Sequence, residues 1–171
     1  MLYFSGFSLN NEEELFNFWL QKNGYTVAGF SYGAIKAVEY LLTTNKRVDR
    51  LILLSPAYFN TQSEAFKKMQ LLYFKKNREL YIENFMKNIA GSSNIDLKQY
   101  LSKNATSTEL KELLYYEWSR EKLQSIKERG TAIEVVLGGE DKIIDANAAK
   151  EFFESYATLY FIKEANHLLR R

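Results

Sequence analysis

A serine lies between two glycines in the segment GFSYG at residues 29–33, which matches the pattern G-x-S-x-G. A serine on a sharp turn needs neighbours without side chains, because the backbone can then bend closely and the hydroxyl can project. The pattern is meaningful where a strand ends and a helix begins, and residues 25–30 and 34–42 have those two patterns. We interpret Ser31 as a candidate nucleophile; the alternative is an ordinary Gly/Ser connection.

A serine hydroxyl needs a general base that takes its proton and later returns it. His167 is the only histidine and follows a predicted strand at 159–163. The base requires a carboxylate that fixes its tautomer, and Asp141, after a predicted strand at 133–137, is our candidate. Asp145 is better explained as a helix cap. The carboxyl ends of parallel strands meet at one edge of a sheet, so we expect the three groups at that edge, with Ser31 and His167 on exposed turns.

A tetrahedral oxyanion is stabilised by two backbone amides that point at the developing charge. One predicted donor is the amide of Tyr32, directly after the candidate nucleophile. The other is the amide of Phe7, in the turn after the first strand, where Gly6 permits a tight bend. The alternative is an ordinary turn at a strand end. This chemistry requires neither a metal nor an organic cofactor, and we expect none.

The elements that position these residues follow from hydrophobic periodicity. Strands that alternate with helices predict a parallel α/β sheet, and residues 57–130 instead have only helical spacings. We therefore predict one domain with a core formed by 1–56 and 131–171 and a helical cap inserted at 57–130. The predicted strands are 2–5, 25–30, 50–54, 133–137 and 159–163.

Three helices are predicted between the core strands, of which two occupy 34–42 and 146–156. The other lies between the first two strands and ends at Gly24. Right-handed crossovers between strands added in one direction gather the helices on one face of a sheet, which leaves the other face poorly covered. We expect either a homodimer or a cap helix on that face. The apolar stripe of the first helix would be Leu15, Phe18 and Trp19.

The composition is that of an ordinary globular domain, with 46% hydrophobic and 26% charged residues. The absence of cysteine excludes disulfides and thiolate metal sites and favours a reducing compartment. No signal peptide is visible, and no apolar run reaches the roughly 18 residues of a membrane span. The net charge of +2 is too small to indicate nucleic-acid binding. We expect a soluble cytoplasmic protein.

Several motifs together make the chain resemble the BioV type of pimeloyl-acyl-carrier-protein methyl ester esterase, an α/β-hydrolase. The order serine, aspartate, histidine is the one that α/β-hydrolases use. Only 25 positions separate Gly6 from Ser31, so the resemblance implies an abbreviated α/β-hydrolase fold of about five parallel strands with an inserted helical cap. The motifs are SGF at 5–7, GFSYG at 29–33, AIKA at 34–37, GGED at 138–141, EFF at 151–153 and NHLL at 166–169.

The resemblance implies a carboxylesterase without cofactors. Its substrate would be an acyl carrier protein that bears a methyl pimeloyl chain on phosphopantetheine, and hydrolysis would release methanol and provide pimeloyl-carrier protein for biotin synthesis. A general carboxylesterase or a thioesterase would use the same triad. A non-catalytic binding module could also share the fold, because a fold does not determine a function.

The predicted insertion is the basic part of the chain, since residues 57–130 carry a net charge of +4 and the remaining residues −2. We expect an acidic carrier protein to dock there; the alternative is a solvated helix surface. The predicted docking residues are Lys67, Lys68, Lys75, Lys76 and Arg78. On one continuous helix, four of them would share an arc of roughly 100° opposite Phe66, Met69 and Tyr73. Aromatic residues predicted to line an acyl channel, or to form the core of the cap, are Tyr73, Tyr115 and Trp118.

Overall fold

A five-stranded parallel sheet forms the centre of the structure, and its strands follow one another across the sheet in sequence order. The structure is a computed structural model that describes residues 1–20 and 22–171. All five predicted strands are confirmed, with ends within one residue of those expected from the sequence. They are β1 Leu2–Phe4, β2 Thr26–Phe30, β3 Arg50–Leu54, β4 Ala132–Gly138 and β5 Thr158–Ile162.

The helices begin at identifiable caps. A side-chain oxygen of the residue before each of five helices accepts a hydrogen bond from a first-turn amide, which satisfies a group that would otherwise lack a partner. Asp145 is such a cap, as predicted. The helix after β2 differs, because the Ser31 side chain before it makes no capping hydrogen bond. The helices of the described residues are α1 Tyr32–Thr43, α2 Glu64–Lys76, α3 Arg78–Ala90, α4 Ser107–Tyr115, α5 Arg120–Glu128 and α6 Ala146–Phe153.

Successive strand residues point to opposite sides of the sheet, and the side chains on the two faces pack in two different core clusters. On one face, Val27 and Leu51 pack in a core cluster with Val38 of α1, and α5 and α6 contribute to the same cluster. On the other face, Ala28 and Ile52 pack in a second cluster. Residues that cover this second face are Phe16, Leu20, Met86, Ile89, Leu168 and Leu169.

A cap helix therefore lies on the face that was expected to be poorly covered, since Met86 and Ile89 belong to α3. The homodimer stays a prediction. Helices α2 to α5 all lie between β3 and β4, but α5 packs against α1 beside the sheet. The division into core and cap at 57–130 likewise stays a prediction.

The prediction of a helix between β1 and β2 is wrong. The segment forms only a 3₁₀ turn at Glu12–Phe16, and Gln21 lies outside the described residues. Phe16 and Leu20 are buried, whereas Phe18, predicted to be part of the apolar stripe, is 86% exposed. A 3₁₀ segment has three residues per turn, and this changes which side chains share a face.

The connection between β1 and β2 also has an unusual path. It runs over the face opposite α1, yet both connections advance the chain by one strand in the same direction. The two crossovers therefore have opposite hands, and the right-handed rule holds for only one of them. None of the helices in the described part of the chain combines the length and apolarity needed to cross a bilayer.

We predict that Phe16→Ala lowers the free energy of unfolding by about 3–5 kcal/mol, because it leaves a cavity between the 3₁₀ segment and the sheet. Phe18→Ala is the matched control, two residues away, and should change stability by less than about 0.5 kcal/mol. Urea unfolding followed by circular dichroism measures both. Equal effects of the two substitutions would contradict this account of the second face.

Candidate active site

Ser31 occupies a strained turn between β2 and α1. Its φ of 53° and ψ of −113° lie outside the regions that L-residues usually adopt. The turn is held by its backbone: the Ser31 N–H donates to the carbonyl of Leu54 at 2.9 Å, and the Ser31 carbonyl accepts from Ala57 at 3.1 Å. The side chain is therefore not needed to hold the turn.

Both glycines of the motif are required by close backbone approach. A Cβ atom on Gly29 would lie 2.1 Å from the carbonyl oxygen of Gly33, and one on Gly33 would lie 1.9 Å from that of Phe4. Backbone atoms cannot swing aside as the end of a side chain can. The G-x-S-x-G pattern thus allows α1 to pack directly against the ends of β1 and β2 around Ser31.

His167 and Asp141 form a hydrogen-bonded pair. Asp141 Oδ2 lies 2.6 Å from His167 Nδ1, and neither side chain is exposed. Asp141 Oδ1 accepts hydrogen bonds from the amides of Ile143, at 2.7 Å, and Ile144, at 3.2 Å, which orient the carboxylate. A carboxylate partner makes Nδ1 the donor, so Nε2 is the basic nitrogen of neutral His167. In the described residues, Nε2 is buried without a hydrogen-bond partner.

The end of β3 connects the serine turn with the histidine turn. Leu54 accepts the Ser31 amide, and the next residue, Ser55, donates its hydroxyl to the His167 carbonyl at 2.8 Å. The ring of Phe30 packs on the imidazole with a centroid distance of 5.1 Å. All three predicted triad residues thus lie at the carboxyl edge of the sheet. The expectation that these turns are exposed is wrong, since Ser31 is 2% and His167 0% exposed.

The predicted oxyanion residues border one cavity. Phe7 and Tyr32 both line a cavity of about 280 Å³, whose lining does not include Ser31 or His167. Among the described residues no backbone carbonyl accepts a hydrogen bond from the Phe7 amide. Gly6 is needed because a Cβ there would lie 2.8 Å from the Phe30 ring, whereas the positive φ of the turn belongs to Ser8. Burial, together with a hydrogen bond to a glutamate, raises the pKa of the Tyr32 hydroxyl.

The aromatic residues predicted for an acyl channel lie in different surroundings. Tyr73 is about half exposed and lines a cavity of about 570 Å³ between α2 and α3. Tyr115 donates to Glu64 on the surface. Trp118 is buried in the main core, where its indole N–H donates to the Ala57 carbonyl at 2.9 Å.

The prediction that the basic residues share one continuous helix is wrong. Helix α2 ends at Lys76, because Asn77 has extended backbone angles and caps α3. Arg78 therefore begins α3, and its guanidinium donates to the carbonyl of Lys103. The buried side of α2 is also different from that expected, since Met69 and Tyr73 are exposed while Phe74 is buried. Of the predicted set, Lys68, Lys75 and Lys76 are exposed on α2, and Lys67 is half-buried with its ammonium 5.1 Å above the Tyr115 ring.

Residues that sequence reasoning missed support the site. Asn166 holds the histidine turn, because its side chain accepts from the amides of Leu168 and Arg170 and donates to a carbonyl of α3. Ser55 could have been found as a polar residue that directly follows a buried strand. No sequence signal distinguishes Glu12, which is fully buried beside the Gly6 amide, from the two glutamates after it.

Comparisons with known proteins agree with this architecture. Residues 19–170 match the model of the Hydrolase_4 family, described as "Serine aminopeptidase, S33". Among solved structures, the chain is similar to an esterase from Exiguobacterium antarcticum, with 22% identity, a TM-score of 0.67 and coverage of 83% of this chain and 59% of that one. The chain thus spans less than two thirds of that esterase. A search of curated protein sequences finds no match.

Two other solved structures match over almost the whole chain. A lipase-esterase related protein from Clostridium acetobutylicum is 12% identical, with a TM-score of 0.67 and coverage of 98% of this chain and 86% of that one. BioG from Haemophilus influenzae is 14% identical, with a TM-score of 0.58 and coverage of 98% and 87%. At these identities the likenesses establish the fold.

The two aspartates near the histidine can be told apart by substitution. We predict that Asp141→Asn lowers the rate at which a fluorophosphonate probe modifies Ser31 by about 10²–10⁴-fold, because an amide stabilises the wrong tautomer of His167. Asp145→Asn is the control and should leave the rate unchanged, because asparagine also caps helices well. Labelling followed by mass spectrometry measures both rates. A larger effect at Asp145 would contradict the assignment.

Proposed function

This chain belongs to the Hydrolase_4 family of α/β-hydrolases, and we propose that it is a serine carboxylesterase that cleaves the methyl ester of pimeloyl-acyl-carrier protein. One observation carries the proposal of ester hydrolysis. The buried His167–Asp141 pair leaves Nε2 of the histidine without a partner in the described residues, at the sheet edge where Ser31 occupies its strained turn. This arrangement suits a general base beside a nucleophile.

The proposed reaction has two halves. Ser31 Oγ attacks the ester carbonyl while His167 Nε2 takes its proton, and the amides of Phe7 and Tyr32 stabilise the oxyanion. The tetrahedral intermediate then collapses: the bond to the methoxy oxygen breaks, and the imidazolium gives its proton to that oxygen, so methanol leaves. Water, deprotonated by His167, attacks the acyl-enzyme in the same way and releases the carboxylate and Ser31.

The aromatic residues that pack on the predicted oxyanion turn favour an uncharged, apolar acyl chain. The Phe7 ring packs against Phe74 of α2 and Phe85 of α3, with centroid distances of 6.1 and 5.6 Å. Burying a free carboxylate among such groups is expensive, whereas a methyl ester has no charge to desolvate. The motifs that resemble the BioV type of esterase favour methyl pimeloyl-carrier protein among such esters. The product, which carries a new carboxylate, would bind less well and leave.

Exposed lysines on α2 support docking of an acidic carrier protein. Lys68, Lys75 and Lys76 are exposed on the same helix whose Phe74 contacts Phe7 of the predicted oxyanion turn. A partner bound to these lysines would therefore lie on the helix that packs against the predicted oxyanion turn. Opposite charge would speed and orient the encounter.

A general carboxylesterase is the second candidate function. The triad does not distinguish an ester from another ester or from a thioester, and the solved structures that resemble this chain include an esterase from Exiguobacterium antarcticum. A binding module without catalysis is the alternative from another class. The substrate preference and the reactivity of Ser31 separate these three.

We predict that Ser31→Ala and His167→Ala each lower hydrolysis of methyl pimeloyl-carrier protein by at least about 10⁴-fold, because each removes an essential group of the triad. Ser155→Ala, at an exposed serine after α6, is the matched control and should retain full activity. Steady-state release of methanol measures the activity of all three variants. In an esterase-deficient biotin auxotroph, expression of the wild type should restore growth, whereas expression of Ser31→Ala or His167→Ala should not. Equal efficiency on short soluble esters would favour the general carboxylesterase, and no labelling of Ser31 by a fluorophosphonate would favour the binding module.

We also predict that the triple substitution of Lys68, Lys75 and Lys76 by glutamate lowers kcat/KM for the carrier-bound ester at least tenfold at low salt, because like charges would then oppose docking. Activity on a p-nitrophenyl ester should not change. The matched control reverses three exposed lysines elsewhere, Lys46, Lys127 and Lys163, for the same change in net charge. Loss with the control variant would indicate a long-range effect of net charge, and no loss with either would exclude docking on α2.

A further inference from the structure

Glu12 is a buried carboxylate that the proposed mechanism does not use. Its side chain has no exposed surface, although it lies in a run of three glutamates of which Glu13 is half-buried and Glu14 exposed. Its Oε1 atom accepts two hydrogen bonds, from the Gly6 N–H at 2.8 Å and from the Tyr3 hydroxyl at 3.1 Å. Because burial of a carboxylate is unfavourable unless the group is well paired, this position needs a reason.

The contact with Gly6 lies directly beside the predicted oxyanion hole. The turn after β1 contains Phe7, whose amide is one of the two predicted donors, and Gly6 is the residue before it. Apart from Glu12, the turn is held by the hydrogen bond from the Leu9 amide to the Gly6 carbonyl at 3.1 Å, by two hydrogen bonds between Ser8 and Ser102, and by packing of the Phe7 ring. None of these contacts engages the Gly6 amide. With the Gly6 amide engaged by Glu12, the Phe7 amide is the neighbouring donor that remains for an oxyanion.

We propose that Glu12 is a positioning residue of the oxyanion hole: its carboxylate binds the Gly6 amide and thereby orients the Phe7 amide toward the carbonyl oxygen of the substrate. The proposal rests on the proposed function. It assigns a role to the connection between β1 and β2, which replaces the predicted amphipathic helix with a 3₁₀ turn that begins at Glu12.

The remaining contacts of Glu12 agree with an anchor rather than a general support of the fold. Its second oxygen, Oε2, is buried and has no hydrogen-bond partner in the described residues, so the carboxylate is held through one oxygen, which binds the Gly6 amide of the turn and the Tyr3 hydroxyl of β1. A group retained only to stabilise the fold would be expected to have both oxygens satisfied. Burial and the nearby charge of Glu12 raise the pKa of the Tyr3 hydroxyl, which therefore stays protonated and donates to Glu12 at neutral pH.

The test compares three substitutions at Glu12 with one at its neighbour. Glu12→Gln keeps an acceptor oxygen at the same reach, Glu12→Asp keeps the charge but shortens the side chain by one methylene, and Glu12→Ala removes both. Glu13→Ala removes a carboxylate one residue away and is the control. The measurements are kcat and KM on the carrier-bound methyl ester, the rate of fluorophosphonate labelling of Ser31, and the thermal midpoint of each variant.

We expect Glu12→Asp and Glu12→Ala to lower kcat and the labelling rate about 10- to 100-fold, with KM within twofold, because a displaced donor weakens only transition-state binding. Glu12→Gln and Glu13→Ala should stay within threefold of the wild type. If Glu12→Ala does not fold, the test compares Glu12→Asp with Glu12→Gln.

Several outcomes would overturn the proposal. A kcat of Glu12→Asp within twofold of the wild type would exclude anchoring through Gly6, and a loss confined to KM would indicate a substrate contact instead. Equal losses in the Gln and Asp variants would assign the effect to the fold around Glu12 rather than to the hydrogen bond. A wild-type protein whose Ser31 is not labelled would overturn the proposed hydrolysis and this role together, whereas a labelled wild type with unaffected Glu12 variants would overturn this role alone.

Discussion

The site depends on the hydrogen bond between Asp141 and His167, which has no contact with solvent. The carboxylate is usable there because one oxygen is occupied by two backbone amides and the other by the imidazole. An aspartate without these partners would be too costly to bury, and the imidazole would have no fixed tautomer. Burial also excludes water from the imidazole, which strengthens every electrostatic interaction around it.

The pair can form only because the sheet brings two distant loops together. Asp141 follows β4, His167 follows β5, and Ser31 follows β2, so all three lie at the edge where these strands end. The residues at the end of β3 then set their relative positions: Leu54 binds the serine turn and Ser55 the histidine turn. The last residue of a central strand and the residue after it thus hold the serine and the histidine in one rigid frame.

The connection between β1 and β2 departs from the expected fold in several ways. It forms a 3₁₀ turn in place of a regular helix, runs over the second face of the sheet and has the opposite hand to the next crossover. That face is then covered by side chains from distant parts of the chain, namely Phe16, Met86 of α3 and Leu168 next to the histidine. The same segments therefore cover the core and support the candidate site.

The sequence by itself determined the strands and the serine turn, and it predicted the order of the triad. All of these depend on local patterns: alternation of apolar residues, glycines on either side of a serine, and polar residues just after buried strands. It also identified Asp145 as a cap, a contact within one helical turn. Tertiary structure alone decided that Phe16 rather than Phe18 is buried and that Glu12 rather than its neighbours binds the Gly6 amide. Each of these is a choice between chemically similar residues, and the choice depends on which segment from elsewhere in the chain packs against them, which local patterns do not contain.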